Sequence, residues 1–456
     1  MHIVVVGLGE VGKHLLRVLQ EERHDIVAID HDPTVVQACE DAYDVMTLQG
    51  YGASPAVLTK AGAGTTDLLV AVTDQDEVNL VAAATAKQLG ARQAVARVQG
   101  REWTHKDVAV QYGFLGIDAV VNPQVLVAEE LALIARSHGA LDVFELAEHR
   151  VALTQVSIRD NARLAGKSLA KLRATLPRDT LVAAVVRSGE LFIPGGGDVL
   201  MAHDRVYLVG KTEQVDQAQD LFTRVGGAHR VALAGGSVVG EALARQLHRH
   251  GMEVLIIERD RARAEELSAR LEGVTVLHGD GTDLELLRDE DIAAYDLFAA
   301  MYAEDQHNLL AGLLARKGGA PRTAALVHRP GYMEIYRQLG IDVVLSPRLV
   351  CFEHILKYCR QTSLQSVRVL EEGQAEVFEI VAPGRCRAVG VPLARLRPPR
   401  GVLIAAILRS NRNQLGQDAV VIPTGADTIL PGDTVIVLAT HETRPQVERL
   451  FRERAL

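Results

Sequence analysis

Met1-His2-Ile3-Val4-Val5-Val6-Gly7-Leu8-Gly9-Glu10-Val11-Gly12, with Ile26-Val27-Ala28-Ile29-Asp30 after it, decides the fold. Ile3 to Val6 is an unbroken β-branched run, the pattern of a strand buried on both faces of a parallel sheet. Gly7 permits a tight turn out of that strand, Gly9 lets backbone approach a pyrophosphate, and Gly12 lets the next helix lie close to the sheet. Leu15, Leu16, Val18 and Leu19 give that helix an apolar stripe. Its free N-terminal N–H groups face bound phosphates. Asp30 closes the second strand, where a carboxylate accepts hydrogen bonds from both adenosine ribose hydroxyls and repels a 2′-phosphate. A glycine turn alone can be purely structural. This one follows a strand, opens a helix and has its acid at the right distance, so the stretch predicts nucleotide binding with NAD favoured over NADP.

The remaining composition bounds the protein. At 456 residues the chain needs several cores, about three domains by length. Its 48% hydrophobic and 23% charged residues suit a globular protein. Only 4% are aromatic, so the cores must be built from Val, Leu, Ile and Ala. A formal net charge of -9, with no basic recognition helix, argues against nucleic acid as a partner. With a strand beginning at the second residue, no signal peptide is expected. No apolar run reaches the ~18 residues of a membrane span. Cys39, Cys351, Cys359 and Cys386 form no Cys-x-x-Cys pair. Cys351 and Cys359 could share a helix face, but all four read as small buried apolar residues of a reducing compartment.

The chain repeats itself. His229 to Ala234 reads as a second strand, followed by Gly235-Gly236-Ser237-Val238-Val239-Gly240, a helix, and Val254-Leu255-Ile256-Ile257-Glu258. Gly7 and Gly235 stand 228 positions apart, as do Asp30 and Glu258. Gln49-Gly50-Tyr51-Gly52 answers His278-Gly279-Asp280-Gly281, and Asp76-Glu77-Val78-Asn79 answers Asp305-Gln306-His307-Asn308. Gly116-Ile117-Asp118 with Asn122-Pro123 answers Gly340-Ile341-Asp342 with Ser346-Pro347. Chance does not hold register over such a length, so the chain is a tandem duplication.

Each half divides again. Up to about 140, short apolar strands alternate with amphipathic helices, which predicts βα units and a doubly wound parallel sheet. Helices are expected at Val125 to Ala135 and Leu349 to Tyr358. Both are apolar on more than one side and so are candidate dimer elements. From about 150 the pattern becomes mainly β, with a hairpin turning at Ser188-Gly189-Glu190. The expected division is 1–140, 141–227, 228–363 and 364–456. The fold class is α/β: two tandem doubly wound Rossmann-like domains, each followed by a small α+β domain.

Over essentially its full length the chain resembles the TrkA family, cytosolic regulators of bacterial Trk potassium uptake built from paired RCK (or KTN) modules. The residues carrying this resemblance are Gly7 to Gly12 with Asp30, Gln49 to Gly52, Val72-Thr73-Asp74-Gln75-Asp76 to Asn79, Ala96-Arg97-Val98 and the Asn122-Pro123 turn, with their second-half equivalents. The resemblance implies a ligand site made by Gly7, Leu8, Gly9, Glu10, Val11 and Gly12 with Asp30, Thr73, Asp74 and Arg97. It implies NAD, as NAD+ or NADH, with ATP or ADP as a second candidate. It implies a homo-oligomer, dimer or tetramer, that gates a membrane transporter of the TrkH type. Such a protein is cytoplasmic and peripheral on the cytoplasmic face of the membrane through that transporter. Arg97 could equally make a surface ion pair, Thr73-Asp74 could cap a helix, and Tyr51 is as readily a turn residue as a stacking one.

The second site, made of Gly235, Gly236, Ser237, Val238 and Val239 with Glu258, departs from the pattern. Ser237 replaces the second fingerprint glycine, Glu258 is one methylene longer than Asp, and Met301-Tyr302 stands for Thr73-Asp74. It should bind nucleotide weakly or serve as scaffold. Three functions compete: a nucleotide-sensing regulatory subunit without chemistry, an NAD-dependent dehydrogenase, and a binding module for another partner. A dehydrogenase needs a proton donor beside the nicotinamide. Neither small domain offers convergent His, Lys and Asp residues, and His307 beside Asn308 is the one exception considered. No catalytic residue and no metal site is expected, and the regulatory subunit ranks first.

Overall fold

The computed structural model describes residues 1–100, 116–137, 139–147, 149–158, 164–223, 228–359, 364–396, 398–409 and 419–452. The expected boundary residues 227 and 363 lie outside them. The first segment contains β1 (His2–Val6), α1 (Glu10–Glu21), β2 (Asp25–Asp30), α2 (Pro33–Ala42), β3 (Met46–Gln49), α3 (Pro55–Lys60), β4 (Leu68–Ala71), α4 (Asp76–Leu89), β5 (Gln93–Arg97), β6 (Ala119–Val121) and α5 (Pro123–Arg136). The strands align as β3-β2-β1-β4-β5-β6, all parallel, the doubly wound order whose switch point lies between β1 and β4. Ile3, Val4 and Val5 are wholly buried, as the β-branched run requires.

A small domain follows: β7 (Asp142–Leu146), β8 (Val151–Ser157), α6 (Leu169–Leu172), β9 (Thr180–Arg187), β10 (Glu190–Phe192), β11 (Arg205–Lys211) and α7 (Thr212–Thr223). Its antiparallel sheet runs β10-β9-β11-β8-β7. The expected hairpin is β9-β10, with Ser188 and Gly189 both at positive φ, the two-residue turn that matches strand twist. Strand β7 begins earlier than the change of texture near 150 suggested.

The second half repeats both sheets. Strands β12 (Arg230–Ala234), β13 (Glu253–Glu258), β14 (Thr275–His278), β15 (Leu297–Ala300), β16 (Thr323–Leu326) and β17 (Val343–Leu345) align as β14-β13-β12-β15-β16-β17. Between and after them lie α8 (Val238–Arg249), α9 (Arg261–Arg270), α10 (Leu284–Asp289), α11 (Asp305–Lys317), α12 (Met333–Gln338) and α13 (Pro347–Cys359). The last sheet, β18 (Leu364–Leu370), β19 (Ala375–Val381), β20 (Val402–Arg409), β21 (Ala419–Val421) and β22 (Thr434–Thr440), runs β18-β19-β22-β20-β21. Short α14 (Leu393–Leu396) and α15 (Arg444–Phe451) accompany it. The expected fold class is the observed one.

The halves pair like with like. Met1–Leu131 and His229–Cys359 form one compact unit, and Ala132–Ala228 and Arg360–Leu456 another. In the first unit α13 lies on α1. Cys351, Phe352, Ile355, Leu356 and Cys359 are buried in one cluster with Leu15, Leu16 and Leu19 of α1 and Ile3 and Val5 of β1. At ~1.5–3 kcal/mol per large buried side chain, this contact is a substantial part of that unit's stability. The His14 ring stands edge-on to Phe352 at 4.1 Å, and burial followed by the Arg17 charge lowers its pKa to about 4. The apolar side of α13, read from sequence as a dimer element, is therefore covered within the chain.

In the second unit the two antiparallel sheets share a core of Phe144, Leu153, Tyr207, Leu370, Val377 and Ile436. Glu371 stands among them as a buried acceptor. Gln155 Nε2 at 2.7 Å, Arg205 Nη2 at 2.8 Å and Tyr207 Oη at 3.0 Å all donate to its carboxylate.

Candidate nucleotide site

At the carboxyl edge of β1 and β4 lies a cavity of about 440 Å³, within the range of small-molecule sites. The fingerprint turn forms its floor. Gly7 has φ +96°, and a Cβ there would press on the Thr73 backbone nitrogen at 2.7 Å. A Cβ on Gly12 would overlap the Gly7 carbonyl oxygen. Gly9 differs, since a Cβ there would meet nothing within 4 Å and would protrude into open space beside the cavity. Gly7 and Gly12 thus hold the turn, while Gly9 leaves it bare.

Asp30 has two tasks. The Leu8 N–H donates to its Oδ2 at 2.7 Å and the Asp32 N–H to its Oδ1 at 3.0 Å, with His31 Nδ1 3.2 Å from Oδ1. A carboxylate offers about four acceptor directions, so Asp30 can anchor the turn and still face a ribose. Asp30→Ala would free the Leu8 and Asp32 N–H groups. It should reduce NAD affinity and lower stability, each by roughly 1–3 kcal/mol. Calorimetric titration and thermal unfolding of the same variant measure the two losses, and unchanged NAD affinity would remove Asp30 from the ligand site.

Gly7, Leu8, Gly9, Glu10, Val11, Asp30, Thr73, Asp74 and Arg97, all expected from sequence, line this one cavity. Gly12 lies behind it, against the Gly7 carbonyl. Thr73 does not cap α4, whose N-cap is Gln75. Asn79 Oδ1 receives both the Thr73 N–H, at 2.8 Å, and its hydroxyl, at 2.7 Å, while Asn79 Nδ2 donates to the Arg97 carbonyl at 2.9 Å. Asp76 accepts the N–H groups of Gln99 and Gly100. This acid and amide pin the loop, which presents Thr73 and Asp74 to the cavity. Tyr51 is 55% exposed at the rim, its ring 6.1 Å from His31.

Among the described residues the buried Nε of Arg97 has no hydrogen-bond partner, and a buried donor without an acceptor costs ~1–3 kcal/mol. The sequence missed Arg348 of α13, which reaches the cavity from the second half with Nη1 3.6 Å from Glu10 Oε2. The repeat aligned Ser346-Pro347 with Asn122-Pro123, but no local pattern says that the next residue meets α1.

In the second half, side chains crowd the glycine turn. Backbone pairing sets Tyr302 on Thr73, because the Tyr302 N–H donates to Asn308 Oδ1 at 2.7 Å as Thr73 does to Asn79. Ala303 therefore answers Asp74, and Met301-Tyr302 is one residue out of register with Thr73-Asp74. Leu326 answers Arg97, since Asn308 Nδ2 donates to its carbonyl at 3.1 Å. The Tyr302 hydroxyl accepts the Gly281 N–H at 3.0 Å while its ring presses on Gly235. Burial pushes its pKa up to about 12, so the phenol stays neutral. Arg263 Nε donates to the Gly236 carbonyl at 2.9 Å, its guanidinium pairs with Glu241, and Leu267 packs against Gly236.

Glu258 Oε2 takes the Gly236 N–H at 2.6 Å, as Asp30 takes that of Leu8. Ser237 caps α8 by accepting the Gly240 N–H at 3.3 Å. Tyr302, Arg263 and Leu267 stand at this turn in addition to Ser237. Val238 and Val239 open α8, and Val239 is buried. His307 stands 6.1 Å from the Tyr302 ring and 3.8 Å from Glu304. Among the described residues no group of His, Cys, Asp and Glu could hold a metal ion, and no helix is long and apolar enough to cross a membrane.

Comparison with known proteins agrees with this architecture. The TrkA-N domain matches residues 3–123 and 231–347, and the TrkA-C domain matches 153–223 and 377–452. The chain belongs to the TrkA family. Its relatives include the Trk system potassium uptake protein TrkA homolog 1 of Methanosarcina mazei, 32% identical over 99% of this chain and 100% of the relative. The Archaeoglobus fulgidus homolog is 33% identical over 99% and 100%. The Vibrio alginolyticus Trk system potassium uptake protein TrkA is 33% identical over 99% of each. Among solved structures, the GsuK RCK domain aligns with TM-score 0.60 and 20% identity over 99% of this chain and 94% of that one. The GsuK channel bound to NAD aligns with TM-score 0.62 and 18% identity over 99% and 78%. At such identities the likeness is one of fold, two RCK modules in tandem. The TrkA-N matches cover the two parallel sheets, and the TrkA-C matches cover the two antiparallel ones apart from their first strands, β7 and β18.

Proposed function

We propose that this chain is a nucleotide-binding regulatory subunit of potassium transport that binds one nucleotide in its first half and catalyses no reaction. The observation that carries the reading is the first cavity, where a bare glycine turn, Asp30, Thr73, Asp74 and Arg97 line one space. In this reading Gly7 to Gly12, Asp30, Thr73, Asp74 and Arg97 hold NAD, or ATP or ADP in its place. Gly235, Gly236, Ser237, Val238, Val239 and Glu258 keep the same backbone around a crevice closed by Tyr302. The domains divide at 1–140, 141–227, 228–363 and 364–456. The partner is a membrane potassium transporter of the TrkH type. The chain assembles as a homo-oligomer on the cytoplasmic face of the membrane and binds no nucleic acid. Regulation works by linkage: a nucleotide preferred by one arrangement of the domains shifts their equilibrium, and the transporter moves with it.

Calorimetric titration should give one NAD per chain, and transporter vesicles with added protein should change potassium flux with nucleotide. Two equal, tight sites would contradict the closed second crevice. Steady, substrate-dependent NADH oxidation with no nucleotide effect on flux would favour the dehydrogenase reading and overturn this one.

A further inference from the structure

Arg348 belongs to the second half, yet it lines the first-half cavity. It is the second residue of α13, the helix whose Phe352, Ile355 and Leu356 are buried against α1. Its one ion-pair partner among the described residues is Glu10, at 3.6 Å. Both side chains are open to solvent, 37% and 69% exposed respectively. An exposed pair of that length is weak. Glu10 begins α1, where helix N–H groups and a positive dipole end gather anions. A phosphate placed there would bring its negative charge against the Glu10 carboxylate and within reach of the Arg348 guanidinium. Guanidinium binds phosphate through paired, charge-assisted hydrogen bonds that an exposed single contact to carboxylate does not match.

We propose that Arg348 is a phosphate-binding arm that crosses between the halves. When a nucleotide occupies the turn, the guanidinium leaves Glu10 and takes the phosphate oxygens. Ligand and protein then hold α13 on α1 together. This inference rests on the nucleotide reading of the first cavity and adds its regulation, because occupancy is coupled to the seating of the second half. The first-half counterpart of Arg348 is Gln124, next after Asn122-Pro123, which carries no charge. The arm is therefore one-sided, like the cavity it serves.

The test is calorimetric titration of NAD and ATP into full-length wild type, Arg348→Gln, Arg348→Lys, Glu10→Gln and the double variant. Hydrogen exchange of α13 is followed with and without nucleotide. Arg348→Gln should weaken binding roughly ten-fold or more, as expected for a lost charged hydrogen bond. Arg348→Lys should fall between, because it keeps the charge and loses the fork. Glu10→Gln should bind more tightly than wild type, and that gain should vanish in the double variant. Nucleotide should slow exchange in α13 of wild type and have no such effect in Arg348→Gln. Arg348→Gln that binds with wild-type affinity, at unchanged melting temperature, overturns the arm and leaves the site standing. Wild type that binds neither nucleotide overturns the site itself, and the arm with it.

Discussion

Replacing Gly12 by alanine should abolish nucleotide binding and destabilise the first parallel-sheet domain by about 3 kcal/mol, the upper end of overpacking costs. The added methyl group would overlap the carbonyl oxygen of Gly7, an atom fixed at both ends of its residue. The Gly7 N–H is held by the Ile29 carbonyl at 2.8 Å, and the backbone of Thr73 stands against its Cα. Backbone cannot rotate away as a side-chain tip can, so α1 must lift from the sheet. Leu15, Leu16 and Leu19, all fully buried, move with it. Gly9→Ser is the control. A Cβ there would meet nothing within 4 Å, so stability should change by no more than ~0.5 kcal/mol. Its position on the cavity wall should still depress affinity. Differential scanning calorimetry and NAD titration of the two variants separate the effects. A Gly12→Ala protein that melts and binds like wild type would show that helix and turn are not packed as described.

The contrast between those glycines shows which parts of the molecule its sequence reveals. Strand and helix positions and the duplication follow from local pattern, because β-branched runs, caps and glycine turns act over a few residues. The motifs shared by both halves prove to be those that hold backbone. Asp76 and Asp305 each bind the loop beyond the fifth strand, and Asn79 and Asn308 each bridge two strand ends. Asp118 and Asp342 each accept a backbone N–H from the adjacent strand, that of Ala94 and Thr323. Four of the pairs that differ between the halves have their first-half member on the cavity: Gly9 and Ser237, Lys13 and Glu241, Thr73 and Tyr302, Arg97 and Leu326. Repetition therefore marked much of the scaffold, while at Gly9, Lys13, Thr73 and Arg97 departure from repetition falls on the cavity lining. What sequence could not supply were contacts between distant segments, such as Arg348 at the first turn, Arg263 over the second, and α13 on α1. Their side chains act where the tertiary fold carries them, and nothing in their neighbours announces it.

Glu371→Ala should cost the paired small domains about 3–5 kcal/mol, the range for removing one partner of a buried ion pair. Glu371 lies on the turn between β18 and β19, while its three donors, Gln155, Arg205 and Tyr207, sit on β8 and β11 of the other small sheet. The carboxylate is 8% exposed and the Arg205 side chain 19%, so water replaces little of what truncation removes. Tyr207 is fully buried, and burial with the neighbouring Glu371 charge raises its pKa well above the ordinary range. Its hydroxyl therefore remains a neutral donor that must find an acceptor. Glu371→Gln keeps an acceptor oxygen but loses the charge facing Arg205, and should fall between alanine and wild type. The nearby contacts of Gln374, which donates to the Gly189 carbonyl and accepts the Leu191 N–H, hold the same edge and limit the loss to this cluster. Chemical denaturation should show the loss in the transition of the small-domain unit, while NAD affinity at the first cavity stays at its wild-type value. A change below ~1 kcal/mol in Glu371→Ala would mean that Arg205 and Tyr207 are hydrated in solution and that the apolar core alone joins the two sheets.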